Sequence, residues 1–206
     1  LHERSLAGLQ RLVSASAKIA TDFLRAHHPE IMTPAFSLLE QKRLSRRLNG
    51  FLAVEQQRAE FTIIQNELAV SWKHSKLALS LRIDRVDQLE DGSLALIDYK
   101  TGKHTNYKWL DERPDDMQLP LYQIAIQNSD EKPVSATLIY QLNAENIGLV
   151  SPIGISTLGV TVKTNSQAIN FAGDWPELHE FWNKTIYSLV QEFEDGLAAV
   201  APARGY

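Results

Sequence analysis

The stretch LRIDRVDQLEDGSLALIDYKTGK, Leu81 to Lys103, decides the fold. It reads as two strands joined by a tight turn at Asp91-Gly92. Side chains alternate along a strand. Leu77, Leu79, Leu81 and Ile83 therefore share one face, with Ser80, Arg82 and Asp84 on the other. In the second strand Ala95, Ile97 and Tyr99 share a face, and Asp98 and Lys100 take the opposite one. The apolar faces are expected to merge into a core and the charged residues to collect on the far side. Whether they meet depends on register. A two-residue loop at Asp91-Gly92 would set Asp84 across from Tyr99 and send the two carboxylates to opposite sides. A three-residue loop, Glu90 to Gly92, sets Asp84 opposite Asp98. It also puts Gly92 where a left-handed backbone is needed. The three-residue loop satisfies both turn chemistry and patterning.

Opposed carboxylates repel and weaken a hairpin. They persist when a cation sits between them, and a divalent metal with Lys100 beside it is the obvious one. Two carboxylates and a strand carbonyl are hard oxygen donors that suit Mg²⁺ or Mn²⁺. A metal held there can activate water and neutralise charge on a phosphoryl centre. A lysine two residues from the metal-bound Asp can orient that water or stabilise developing negative charge. This set is suited to phosphodiester hydrolysis. Asp87 reads instead as a salt-bridging residue at the strand end.

The rest of the chain bounds the reading. Its 206 residues are 44% hydrophobic and 22% charged, ordinary globular composition with room for one sizeable core. A formal net charge of −4 gives no global basic signal for nucleic acid, though a local strip is compatible with it. Without cysteine there is no disulfide framework, thiolate zinc site or thiol nucleophile, which suits a reducing, cytoplasmic setting. No apolar run approaches the roughly 20 residues of a membrane span. Beginning without Met in helical rhythm and ending just past a helix, the chain reads as a piece of a longer protein.

Periodicity predicts a helix over 3–26 and a second from Thr33-Pro34, as N-cap and first helical residue, to about Arg58. FTIIQNELAVSW, KLALSLRIDRVD and SLALIDYK follow as strands. A helix begins near Asp116, VSATLIYQL is another strand, and NAENIGLVSPIGISTLGVTVKT suggests two short strands and a loop. The last helix, DWPELHEFWNKTIYSLVQEFEDGLAA, opens on a capping-box-like Asp174 and Glu177. It lines one face with Leu178, Phe181, Trp182, Leu189, Val190 and Phe193. Strands, a helix and a further strand between helices indicate an α/β or α+β sandwich.

Asp84 followed by Asp98-Tyr99-Lys100 resembles the PD-(D/E)XK nuclease superfamily. IDRVD, IDYKTG and MQLPLY, in that order and spacing, are similar to the RecB- and AddB-type nuclease domain. WLDERPDDMQLPLY with FEDGLAAVAP is closer still to bacterial AddB-like proteins described as probable DNA repair proteins. The resemblance is strong over Phe61 to Pro202 and loose over the first 60 residues. It implies an α/β fold with a restriction-endonuclease-like core, a central mixed sheet flanked by helices. Residues 1–60 would be a helical segment packing on a core of 61–206. It implies Asp84, Asp98 and the Tyr99 main-chain carbonyl as metal ligands, and Lys100 as the catalytic lysine. Gln118 and Tyr122 match a Gln-x-x-x-Tyr motif that lies beside the active site and contacts DNA, and Glu67 matches a supporting glutamate. A metal-binding His upstream in many relatives has no good match at His2. The four cysteines of an iron–sulfur cluster, found in many relatives, would belong only to the full-length protein.

The expected function is a metal-dependent, exonuclease-like DNA nuclease domain of a repair or recombination protein. Its partners would be DNA and a helicase subunit, or a helicase-like region of the same chain, and no membrane. The rival is the same fold unable to cleave, binding DNA or a helicase partner. A further alternative is a metal-dependent hydrolase of another phosphate ester. Trp109 and Arg113 are candidate DNA contacts from a loop, and His74 and His104 read as loop residues. Lys100-Thr101-Gly102 lacks the companion motifs of a β-lactamase, and TGKHT lacks the glycine and hydroxyl residue of a phosphate-binding loop.

Overall fold

The computed structural model describes residues 6–102, 114, 116–127, 132–143, 147–150 and 175–197. The chain divides into two compact units, one of Leu1–Arg58 with Leu142–Gly148 and one of Ala59–Gln141 with Leu149–Tyr206.

In the first unit α1 (Leu6–His27) packs on α2 (Pro34–Glu55). Leu9, Val13, Ala17 and Thr21, each four residues apart, are the buried stripe of α1. Thr33 caps α2 by accepting from Phe36 N, and Pro34 occupies the first turn, where its missing N–H costs nothing. α2 stops at Glu55, three residues before the predicted end. Its last turn tightens, with Arg58 N bonding Glu55 O at 3.2 Å, and Arg58 folds back to pair with the buried Glu55 carboxylate at 2.9 Å.

The strands of the sheet are β1 (Phe61–His74), β2 (Leu77–Leu89), β3 (Leu94–Lys100), β4 (Val134–Leu142) and β5 (Ile147–Val150), in spatial order β1-β2-β3-β4-β5. The second unit holds most of the sheet, all of β1 to β3 and β4 as far as Gln141. β1, β2 and β3 are antiparallel neighbours, whereas β3 and β4 run parallel. A parallel neighbour needs a crossover, and α3 (Gln118–Gln127) supplies it. The central mixed sheet flanked by helices is the α/β architecture that the sequence implied. β5 is one of the short strands expected after Asn143; residues 144–146 and the stretch beyond Val150 lie outside the described residues, as does Asp174 of the expected capping box.

The core joins Val86, Leu94, Leu96 and Ile139 of the sheet to Leu119 and Ile124 of α3 and to α4 (Trp175–Glu194). α4 contributes Leu178, Trp182, Ile186 and Val190, again every fourth residue. Phe193, expected on that stripe, is 71% exposed, because it lies past the last buried turn. One expectation about the hairpin needs correcting. Leu77, Leu79, Leu81 and Ile83 do reach the core, but their partners from β3 are Leu94 and Leu96, not Ile97 and Tyr99. Ala95 and Ile97 are also fully buried, so β3 is covered on both faces, as expected for a strand with a parallel neighbour. Asp98 and Lys100 therefore continue the Leu94–Leu96 side, at the end of the strand that α3 covers.

Candidate active site

The site begins at the turn. Leu89 N bonds Ser93 O at 2.8 Å, Gly92 N bonds Leu89 O at 2.9 Å, and Gly92 has φ 84°. Asp91 Oδ1 accepts from both the backbone N and Oγ of Ser93, which tightens the loop and holds its carboxyl below the usual range. The loop is thus three residues, Glu90 to Gly92. It sets Gln88 opposite Leu94, Asp87 opposite Ala95, Val86 opposite Leu96 and Arg85 opposite Ile97. There the ladder ends. The next inward donor, Tyr99 N–H, goes to Asp84 Oδ2 at 2.8 Å. A carboxylate has replaced a strand carbonyl, and Asp84 is drawn across to β3 at the level of Asp98.

Asp98 is almost wholly buried, and its surroundings form one continuous network. Lys100 Nζ lies 2.9 Å from Asp98 Oδ2 and donates to Gln118 Oε1 at 2.6 Å. Gln118 Nε2 donates to Asp98 Oδ1 at 2.9 Å and to the Tyr122 hydroxyl at 2.7 Å. Tyr122 passes the chain on, donating to Arg82 O of β2 at 2.6 Å. Gln118 and Tyr122, four apart, stand on one face of α3. The amide orientation is dictated by chemistry: an ammonium only donates, so the oxygen must face Lys100. Burial pushes the Asp98 carboxyl upward, the hydrogen bond and charge of Lys100 oppose it, and the charges of Asp84 and Asp116 add to the rise. Burial likewise raises the Tyr122 phenol. Tyr122 is both core and network, with its ring in the hydrophobic cluster and its hydroxyl in the hydrogen-bond chain.

A family model described as the PD-(D/E)XK nuclease superfamily matches residues 2–205. The chain belongs to that superfamily. No curated protein matches the sequence. Among solved structures, the chain resembles a protein called "Putative exonuclease" from Eubacterium rectale, at 19% identity and a TM-score of 0.38, over 89% of this chain and 70% of the other.

PD-(D/E)XK nucleases generally use divalent metal ions, so the donors here can be tested for fit. Asp98 Oδ2 is buried, and the neighbour facing it is the Lys100 ammonium at 2.9 Å. A buried anionic oxygen with a lone pair beyond its Lys100 contact, and with Asp84 beside it, is a donor that a hard cation would satisfy. The residues fit on that ground. Among the described residues no three acidic, His or Cys side chains gather closely enough to hold a metal.

Glu67 stands apart from the Asp98 network. Its neighbours Asn66 and Leu68 pair with Arg85 and Ile83, which places it across from Asp84, yet Glu67 drops out of the ladder with φ 51°. Its carboxylate pairs with Arg82 Nε at 3.0 Å and is exposed, so it does not enter the Asp98 network. Asp87 is salt-bridged as expected, and it is fully buried. Arg85 grips it through two bonds of 2.6 and 2.7 Å, with both side chains buried. Arg85 also donates to the Tyr99 hydroxyl, and Tyr99 stacks on Tyr140. His74 is at a strand end rather than in a loop, stacked on Tyr187 with centroids 4.4 Å apart. His2, His104, Trp109 and Arg113 lie outside the described residues. Sequence reasoning missed Asp116, whose Oδ1 accepts from Gln118 N at 2.9 Å and so fixes where α3 starts. An Asp two residues before a helical Gln was the available signal. Arg82 was missed as well.

Proposed function

We propose that this nuclease-superfamily domain cuts DNA as a metal-dependent, exonuclease-like enzyme of repair or recombination, with Asp84 and Asp98 holding Mg²⁺ or Mn²⁺ and the Tyr99 carbonyl as a further ligand. The observation that carries the reading is the convergence of Asp84, Asp98 and Lys100 at one end of β3, with the buried Asp98 Oδ2 facing the Lys100 ammonium. A divalent cation there would supply charge neutralisation on the scissile phosphate and a more acidic water. The protein's own residues do the rest. Asp84 and Asp98 set the anionic floor. Lys100, beside Asp98, would face the phosphate oxygens or the attacking water and stabilise negative charge there. Gln118 keeps the lysine at the site through its amide oxygen. The order of the sequence motifs supports a RecB- or AddB-like subtype, and with it a helicase partner or helicase-like region and an iron–sulfur cluster confined to a longer chain.

Calorimetry with Mn²⁺, paired with cleavage of labelled DNA, tests this. Binding by the wild type, its loss in Asp98→Ala, and metal-dependent cleavage are the expected results. Equal Mn²⁺ binding by both proteins overturns the ligand assignment. DNA binding without any cleavage favours the rival reading, a binding module on the same fold. Cleavage of a non-nucleic phosphodiester with DNA untouched favours the other hydrolase.

A further inference from the structure

We infer that Arg82 binds a nucleic-acid phosphate on the approach to the Asp84–Asp98–Lys100 cluster, and that Glu67 is the carboxylate holding its guanidinium until that phosphate displaces it. The inference rests on the nuclease reading above and adds a substrate contact to it. Arg82 and Asp84 are two residues apart on β2, so their side chains leave the strand on the same side. The backbone of Arg82 is anchored, because its carbonyl receives the Tyr122 hydroxyl at 2.6 Å. Its side chain is 74% exposed, with Nε 3.0 Å from Glu67 Oε2. A fixed root and a solvated head, beside the candidate metal-binding carboxylate, suit a group that meets a mobile anion.

Glu67 supplies the second observation. It adopts φ 51° inside a 14-residue strand, at the position across from Asp84. Left-handed backbone is uncommon for a residue other than glycine and tends to mark functional positions. An exposed Arg–Glu pair stabilises a fold too little to explain it. The backbone turn takes the Glu67 carboxylate out of the Asp98 network and leaves it on Arg82. Guanidinium presents a planar fork that matches two phosphate oxygens as well as two carboxylate oxygens, so the two anions compete for one site. An exposed pair is also easily opened and screened. Lys73 lies further along the same face: Ala69 pairs with Arg82, and Lys73 pairs with Ala78 four residues on, also exposed. In a chain of net charge −4, such local cations are what a DNA strand can find.

The experiment compares wild type, Arg82→Ala, Arg82→Lys and Glu67→Gln in steady-state cleavage of a labelled single-stranded oligonucleotide, with binding by anisotropy across a salt series. Arg82→Ala is expected to raise KM about tenfold while kcat changes far less, and to flatten the slope of log K against log salt by about 0.7. Arg82→Lys keeps the salt slope but loses part of the affinity, since it lacks the fork. Glu67→Gln lowers KM by removing the competing anion. If the wild type cleaves DNA while Arg82→Ala keeps its KM and salt slope, the inference fails and the nuclease reading stands. A fall in kcat with KM unchanged also overturns it, because Arg82 would then act at the chemistry. Unchanged KM in Glu67→Gln overturns the competing role of Glu67. A wild type that neither binds nor cuts DNA removes both the reading and the inference.

Discussion

Lys100 touches two acceptors at once, Asp98 Oδ2 and Gln118 Oε1, which fixes its ammonium better than either could alone. If its task is to stabilise negative charge on the reacting phosphate, Lys100→Ala should keep fold and metal binding and lower cleavage about 10²-fold or more, the scale of one lost transition-state donor. Wild-type-like kcat in that variant would rule the role out. Asp98 poses a different question, because its surroundings oppose its charge. Burial is the main cause, and together with the Asp84 and Asp116 charges it outweighs Lys100, so the folded pKa sits above the ordinary 3.8. The folded protein then holds this proton more tightly than the unfolded chain. Stability contributed by the neutral form is lost as pH rises from 3.8 through the raised value. Metal-free Asp98→Asn is therefore expected to melt higher than wild type, with a larger gain at about pH 8 than at about pH 4. The same change should weaken Mn²⁺ binding, trading function for stability. A melting temperature lowered by the same amount at both pH values would refute this account of Asp98.

Single elements position these groups, and two of them can be tested at their ends. The β2–β3 turn depends on Gly92 at φ 84°. A Cβ there would meet nothing nearer than Gln88 Nε2 at 3.9 Å, so Gly92→Ala costs backbone strain and not crowding, about 1–2 kcal/mol in chemical denaturation. The start of α3 depends on Asp116. Asp116→Ala should remove about 1 kcal/mol of capping and let Gln118 drift, so that cleavage falls several-fold. Asp116→Asn should restore it, since a carboxamide oxygen accepts the same N–H. Failure of the Asn variant to rescue would mean that the charge of Asp116, and not its hydrogen bond, is what the site uses. At this scale the turn was readable because two constraints agreed: glycine chemistry and strand alternation both selected a three-residue loop. The reach of Gln118 into the site was readable only through the family resemblance. The left-handed turn at Glu67 and its pairing with Arg82 were not readable, because alternation assumes an unbroken strand and says nothing of a residue that leaves the ladder.

Across the whole chain, helix periodicity and strand alternation gave the element order, since both report a one-sided core. They failed where an element is covered on two sides. β3 carries Leu94, Leu96, Asp98 and Lys100 on one face and Ala95, Ile97 and Tyr99 on the other, and the sequence pattern does not say which face meets α3. The core cluster answers that, and it ties the site to the fold. Leu119 and Ile124 of α3 share this cluster with Trp182 of α4, which is fully buried. Trp182→Ala should remove about 3–5 kcal/mol, a large part of the roughly 5–15 kcal/mol that holds a domain together. Its consequence should reach past stability. With the packing beneath α3 loosened, Gln118 loses its fixed distance to Lys100 and Asp98, so cleavage and Mn²⁺ affinity should fall together even below the unfolding transition. Urea titration followed by circular dichroism, run beside calorimetry at low urea, separates the two effects. If Trp182→Ala unfolds earlier yet binds Mn²⁺ and cuts DNA like wild type before it unfolds, the β2–β3 hairpin alone holds the site and α3 does not position it.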